Sequence, residues 1–282
     1  MRLPTRRQFL KGTAAFFGTA ATVGLYAWQV EPRWVSLVRR RLPIAGLPPA
    51  LEGKTLLQLT DVHVGPLVDD DYVLGVFRDI ARLAPDIIVH TGDWTTFHDE
   101  IVPQAERIYA RMPRGRLATL GVLGNHDYGH RWLNGGNARA IVGMARDAAG
   151  CRILRNEVAE VEGLQIVGLD DLWASAFYPE KAMRALDPAR PMLALTHNPD
   201  TVDLNGWGPF RGWILAGHTH GGQVRPPFRT PPVIPVRNKR YTSGTFALAH
   251  ERTMYISRGV GYTLQVRFNA RPEVTLFTLA RA

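Results

Sequence analysis

Asp86-Ile87-Ile88-Val89-His90-Thr91-Gly92-Asp93 is a short apolar run that stops at a glycine and a carboxylate. Runs of about four to eight such residues, bounded by turn-formers, suit strands buried on both faces. The layout recurs in both directions along the chain. Thr55–Thr60 runs into Asp61, Leu117–Leu123 into Gly124-Asn125-His126-Asp127, and Leu164–Leu169 into Asp170-Asp171. Met192–Thr196 runs into His197-Asn198, and Trp213–Gly217 into His218-Thr219-His220. Between them lie segments of helical spacing. Asp70–Leu83 carries Val73, Leu74, Val76, Phe77, Ile80 and Leu83, with Asp69 or Asp70 as N-cap, and Gln104–Arg111 and Ala138–Ala149 read similarly. Strands alternating with helices predict an α/β layered domain whose site lies where the strand C-terminal ends gather. From Gly244 to Leu279 the pattern shifts to hairpin-like strands at Thr245–Leu248, Met254–Ser257 and Val274–Thr278.

With 282 residues, 45% apolar and 21% charged, the chain has ordinary globular proportions. Disorder, collagen and a polytopic membrane protein are excluded. The single cysteine, Cys151, excludes an internal disulfide and a cysteine-rich zinc site. A metal would have to be held by His, Asp, Glu or Asn. The net charge is +9, but residues 1–41 hold eight Lys/Arg against one acid, leaving only +2 for the remainder. The basic excess is therefore N-terminal rather than a folded binding face, and nucleic acid is not the expected partner.

The chain begins with Thr5-Arg6-Arg7-Gln8-Phe9-Leu10-Lys11, followed by an uncharged stretch from Gly12 to Val30. Charges, then a moderately apolar run, then polar chain make the layout of an export signal. The paired arginines followed by Phe-Leu-Lys resemble a twin-arginine signal, which implies that the twin-arginine translocase exports the folded protein. Retention as a membrane anchor is the other reading, since the apolar run would span about 28 Å as a helix. Either way the expected location is periplasm, cell wall or outer face of the inner membrane. The domain reading is 1–30 signal or anchor, 31–53 connector and 54–282 catalytic domain. Within the connector, Ser36–Ile44 reads as an edge strand in preference to an amphipathic piece on a membrane.

Of nine histidines, His63, His126, His197, His218 and His220 fall at predicted strand ends, together with Asp61, Asp93, Asn125 and Asp127. From an extended chain, Asp61 and His63 would point the same way, as would His218 and His220. Asp61, His63, Asp93, Asn125, His197, His218 and His220 exceed what one tetrahedral zinc needs. They suit two first-row ions sharing a carboxylate, with imidazole and carboxylate favouring Mn, Fe or Zn over Mg or Ca.

The ordered set Asp61-x-His63, Gly92-Asp93, Gly124-Asn125-His126-Asp127, His197 and Gly217-His218-x-His220 resembles the calcineurin-like metallophosphoesterases from Lys54 to Gln223. His197-Asn198-Pro199-Asp200 and Gly217-His218-Thr219-His220-Gly221-Gly222-Gln223 are most similar to a bacterial branch of membrane-associated or exported phosphodiesterases. The resemblance implies a four-layer α/β/β/α sandwich with two mixed sheets. It implies two divalent or mixed-valence ions, one on Asp61, His63, Asp93 and His220, the other on Asp93, Asn125, His197 and His218. His126 would stabilise the transition state or protonate the leaving oxygen. Asp127 would orient His126 or, in a second reading, cap the following turn. One departure is Trp94-Thr95-Thr96, where the family often has an apolar pair and a carboxylate.

The expected chemistry is hydrolysis of phosphate esters by metal-hydroxide attack on phosphorus, since paired cations offset the charge that repels a nucleophile. A phosphodiesterase outside the cytoplasm is the leading expectation. A membrane-associated pyrophosphatase of a lipid-linked sugar nucleotide is the runner-up, and a non-catalytic scaffold would have lost some of the donors that are all present here. Tyr128–Asn137 reads as a substrate loop or an inert surface loop. The basic, Pro-rich stretch Val224–Tyr241 should lie beside the cleft, as a receptor for wall polymer or lipid headgroup or as an ordered loop with solvated arginines. Asp170-Asp171 reads as a turn or cap, and His90, His98, His130 and His250 as structural or surface residues.

Overall fold

The computed structural model describes residues 5–96 and 99–282, so His98 lies outside the described residues. In chain order the strands are β1 (Ser36–Ile44), β2 (Thr55–Leu59), β3 (Ile87–Thr91), β4 (Ala118–Val122), β5 (Arg152–Ile153) and β6 (Glu157–Val161). They continue as β7 (Leu164–Gly168), β8 (Met192–Leu195), β9 (Gly212–Ala216), β10 (Gly244–Ala247), β11 (Arg252–Ile256) and β12 (Glu273–Arg281). The helices are α1 (Arg6–Leu25), α2 (Asp70–Leu83), α3 (Val102–Tyr109), α4 (Gly135–Asp147) and α5 (Pro179–Met183). Asp69 is the N-cap of α2, accepting from Tyr72 N.

One sheet runs β1-β12-β2-β3-β4-β5 and the other β10-β11-β9-β8-β7-β6. Both are mixed, with parallel centres and antiparallel pairs at β12–β2, β10–β11 and β6–β7. Side-chain alternation explains the layering. In β3, Ile87 and Val89 enter the core between the sheets, while Ile88 enters the core beneath α2, α3 and α4. In β8, Leu193 and Leu195 face the other sheet, whereas Met192 and Ala194 face an outer core with α5, Trp207 and Phe210. Three cores thus separate four layers, as expected for an α/β/β/α sandwich. The outer α layer of the second sheet is thin, being α5 and the loops around Pro199–Asp203.

The tail departs from the hairpin expectation at its last strand. β10 and β11 do pair as a hairpin, but β12 crosses to the other sheet and lies between β1 and β2. Its composition accounts for this, because Val274 and Leu276 serve the helix-side core while Phe277 and Leu279 serve the inter-sheet core. A strand apolar on both faces must be central. β6, which the sequence reading passed over, is an edge strand with polar Glu157 and Glu160 interrupting its apolar run.

β1 pairs parallel with β12 from Ser36↔Glu273 to Ile44↔Arg281, forming the sheet edge predicted for this stretch. Arg39, Arg40 and Arg41 are exposed there, which blocks further strand addition. α1 starts with a capping box, in which Gln8 N donates to Thr5 Oγ1 and Thr5 N to Gln8 Oε1. None of its residues is buried, and Phe9, Leu10, Phe16 and Phe17 are exposed. No helix among the described residues is long and apolar enough to cross a membrane. Beyond α1 the chain is fastened to the domain, where Arg267 N donates to Ala27 O and Ala270 N to buried Glu31 Oε1.

Candidate metal centre

β2, β3, β4, β8 and β9 end at one rim and deliver the histidines and carboxylates expected there. The delivery differs from the extended geometry assumed from sequence. Asp61, His63, Asp93, His218 and His220 all have left-handed backbone, with φ of 51°, 53°, 55°, 73° and 50°. Side chains two apart therefore converge through tight turns rather than through strand alternation. Non-glycine residues take this conformation at a cost of roughly 1–3 kcal/mol each, a strain that clusters at functional sites. Two glycines allow the close approach. A Cβ on Gly92 would lie 2.6 Å from His197 Nδ1, and one on Gly124 would lie 2.2 Å from Asp93 Oδ1.

The donors form adjoining clusters. Asp61, His63 and His220 make one group able to hold an ion, and Asp93, His197 and His218 another. Asp93 joins them, since its Oδ2 lies 3.4 Å from His63 Nε2 and 3.1 Å from His197 Nε2. His63 Nε2 and His220 Nε2 are 3.1 Å apart, and so are His218 Nδ1 and His197 Nε2. Backbone carbonyls set which ring nitrogen faces inward. His197 Nδ1 lies 2.8 Å from Thr91 O, and His218 Nε2 lies 2.7 Å from Pro235 O. With those nitrogens donating, His218 Nδ1 carries an inward lone pair, and His197 Nε2 gains one when its proton is displaced. Asp61 is held by Thr60 Oγ1 at 2.7 Å and by His218 N at 3.0 and 3.1 Å.

Burial pushes His63 and His218 down to about 3, and His220 well below the usual histidine range. All three are neutral at physiological pH and offer lone pairs with no proton to displace. Burial raises Asp61 to about 6. Asp93 and His197 behave oppositely. Burial opposes charge on both, but His197 holds Asp93 well below the carboxylate range, and Asp93 lifts His197 to about 10. A cation arriving at this pair competes with that proton.

The donor chemistry fits divalent ions. Facing imidazole nitrogens and buried carboxylates make poor hydrogen-bond partners for one another and good ligands for a cation. Asn125 gives an independent sign, because it is fully buried and neither its Oδ1 nor its Nδ2 has a hydrogen-bond partner. A buried, unpaired amide costs about 1–3 kcal/mol, which ligation would offset. His126 is half-buried with its N–H donating to Asp93 Oδ1 at 3.0 Å. The Asp127 carboxylate accepts from Gly124 N, Trp94 N and Thr95 N at 2.9, 2.9 and 3.1 Å. It clamps the Asp93 and Asn125 loops together. The unusual Trp94 supplies one of those N–H groups, while its buried ring stacks on His90 at 3.7 Å.

Two neighbours escaped the sequence reading. Arg267 is fully buried, donates to the Ala270 and Arg258 carbonyls at 2.7 and 3.0 Å, and reaches His220 Nδ1 at 3.3 Å. Its sole sequence signal is an arginine within the apolar Val266-Arg267-Phe268. Trp173 meets His218 edge-on, with ring centroids 4.4 Å apart, and had no signal at all. Asp171 has the turn role expected of it, its Oδ1 accepting from Ala174 N at 2.8 Å. Val224–Tyr241 does lie beside the ligand loop, through Pro235 O on His218 and through Pro231, which a Cβ on Gly222 would meet at 2.3 Å. Arg225, Arg229, Lys239 and Arg240 line a cavity of about 660 Å³ there. His130 and His250 are exposed.

Residues 54–222 match the family model described as calcineurin-like phosphoesterase. The chain is 33% identical to phosphodiesterase YaeI of Escherichia coli, over 98% of this chain and 99% of that protein. It is 30% identical to the uncharacterized metallophosphoesterase YkuE of Bacillus subtilis, covering 99% of each. It is 26% identical to the UDP-2,3-diacylglucosamine pyrophosphatase LpxG of Chlamydia trachomatis, covering 91% of this chain and 93% of the relative.

Proposed function

Since this chain belongs to the calcineurin-like phosphoesterase family, we propose that its phosphoric-ester hydrolysis is directed at phosphodiesters on the outer side of the cytoplasmic membrane. The observation that carries the reading is the position of Asp93, whose one carboxylate oxygen serves both histidine clusters. Asp61, His63, Asp93 and His220 would hold one ion, and Asp93, Asn125, His197 and His218 the other. The imidazole and carboxylate set favours Mn, Fe or Zn. When bound, the pair neutralises phosphoryl charge and makes water acidic enough to ionise near neutral pH.

The chain's own groups supply position and proton handling. The backbone N–H of His126 is fixed on Asp93 Oδ1, and its half-buried ring lies edge-on to His63 with centroids 4.8 Å apart. From there it holds a proton at the leaving oxygen. Asp127 keeps His126 and Asp93 in register through its three backbone N–H contacts.

Similarity to phosphodiesterase YaeI along the whole chain favours a diester, and similarity to LpxG keeps a pyrophosphate as the second reading. The cavity of Arg225, Arg229, Lys239 and Arg240 suits the acidic backbone of a wall polymer or a lipid headgroup. The Thr5–Lys11 segment, standing at the exposed start of α1, acts as the export address read by the twin-arginine translocase.

Bis-p-nitrophenyl phosphate is expected to be hydrolysed by the manganese-loaded protein, with turnover lost on EDTA treatment and restored by Mn, Fe or Zn. Full activity after exhaustive chelation would overturn the metal-dependent reading. For location, cell fractionation with N-terminal sequencing is expected to recover the protein outside the cytoplasm. Lysines in place of Arg6 and Arg7 should strand it inside. Equal export of that variant would remove the twin-arginine route.

A further inference from the structure

We propose that the cavity walled by Trp132 and Trp173 receives the organic group of the phosphate ester and selects an uncharged, planar ring. The inference rests on the hydrolase reading above and names the part of the substrate that it leaves open.

The cavity measures about 450 Å³, within the range of about 300–1,000 Å³ typical of small-molecule sites. It shares a wall with the metal centre. The Trp173 indole meets the His218 imidazole edge-to-face, at 4.4 Å and 90°, and meets Trp132 at 4.6 Å and 35°. A phosphorus atom held at His218 therefore has an aromatic surface one ring away. Leu172 and Leu204 extend the apolar lining. The two indoles pack against each other and both are only half-buried, so part of each ring is left exposed to the cavity.

Charge decides what kind of group fits. Asp200, Asp203 and the exposed Arg237 also line the cavity. Asp200 accepts from Arg237 N and Asn238 N at 2.6 and 3.1 Å, and Asp203 from Tyr241 Oη and Asn238 Nδ2 at 2.7 and 2.8 Å. Two carboxylates against one guanidinium leave the lining net negative, which disfavours a second phosphate here. The cavity lined by Arg225, Arg229, Lys239 and Arg240 is the place for such an anion.

The backbone supports the assignment. Arg131 and Trp132 are both left-handed, with φ of 58° and 60°, in a turn closed by Trp132 N on Gly129 O at 3.1 Å. Two consecutive non-glycine residues in that region are strained, and such strain persists where a side chain must be aimed. The turn is anchored from below. Tyr128 Oη donates to Asp170 Oδ1 at 2.6 Å, and Arg155 bonds both, at 2.6 Å to Asp170 and 2.9 Å to Tyr128. The loop carrying Trp132 and the loop carrying Trp173 are thus tied together at their roots while their rings face the cavity.

The test compares phenylphosphonate with methylphosphonate, by calorimetry on the manganese-loaded full chain. The phenyl compound is expected to bind about tenfold more tightly, the scale of an aromatic contact together with apolar burial. Trp132→Ala should bring the two affinities within about twofold, and Trp132→Phe should keep most of the preference. Equal affinities in the unmodified protein, or a preference that survives Trp132→Ala, would overturn the proposal. Bis-p-nitrophenyl phosphate turnover by the same preparation separates the two readings. Turnover without a phenyl preference refutes the aromatic site alone. Absence of both turnover and phosphonate binding refutes the hydrolase reading, and this one falls with it.

Discussion

Asp93→Asn is expected to lower kcat/KM for bis-p-nitrophenyl phosphate by about 10³-fold or more, equivalent to about 4 kcal/mol of transition-state stabilisation. The substitution is nearly isosteric, so packing around the buried carboxylate is preserved and the loss reports on charge. Three contacts meet on this carboxylate. Oδ2 faces His63 Nε2 at 3.4 Å and His197 Nε2 at 3.1 Å, and Oδ1 accepts from His126 N at 3.0 Å. A neutral amide can keep the bond to His126 N but cannot serve two cations. Metal content by elemental analysis should fall to one ion or fewer per chain. The same reasoning predicts that His197 loses the partner holding its pKa near 10, so burial pushes it back down. A folded Asp93→Asn protein with two ions and normal turnover would remove the shared carboxylate from the account.

His126→Ala should cost about 10²- to 10⁴-fold in kcat, the usual range for a proton-transferring side chain, with both ions retained. Leaving-group dependence distinguishes proton transfer from simple positioning. A p-nitrophenolate leaves readily without a proton, whereas an alkoxide does not. The loss should therefore be much larger for an alkyl diester than for bis-p-nitrophenyl phosphate. Equal losses on both would mean that His126 stabilises charge on phosphorus rather than donating to the departing oxygen. Loss of metal in the variant would mean that the ring supports the ions rather than the leaving oxygen, since the backbone bond to Asp93 is kept.

The strand ends were readable from sequence because a polar residue, often beside a glycine, interrupts each apolar run after a similar length. The β3 stretch before Asp93 and the β9 stretch before His218 show this plainly. The layers followed, since Ile87, Ile88 and Val89 alternate between two cores as a strand buried on both faces must. The course of β12 was not readable. Phe277 and Leu279 mark it as central, but which strands flank it depends on partners distant in sequence. The left-handed backbone at Asp61, His63, Asp93, His218 and His220 was equally hidden. Asp and His enter this region more readily than most residues but far more often lie outside it, so identity alone did not mark these five, and the cost is borne by the surrounding bonds, such as Asp61 N to Gly92 O at 2.9 Å. Arg267 and Trp173 reach the centre through space from loops whose own sequence carries no ligand pattern.

The position of β12 has a consequence for how the chain is made. Its Ser36↔Glu273 and Thr275↔Gln58 pairings join residues 237 and 217 positions apart in sequence. Until β12 has left the ribosome, β1 has no neighbour and β2 presents an open flank. Early domains of this kind are exposed to mispairing for the whole time of synthesis. Closure of the first sheet therefore has to wait for β12, however early β1 and β2 are made.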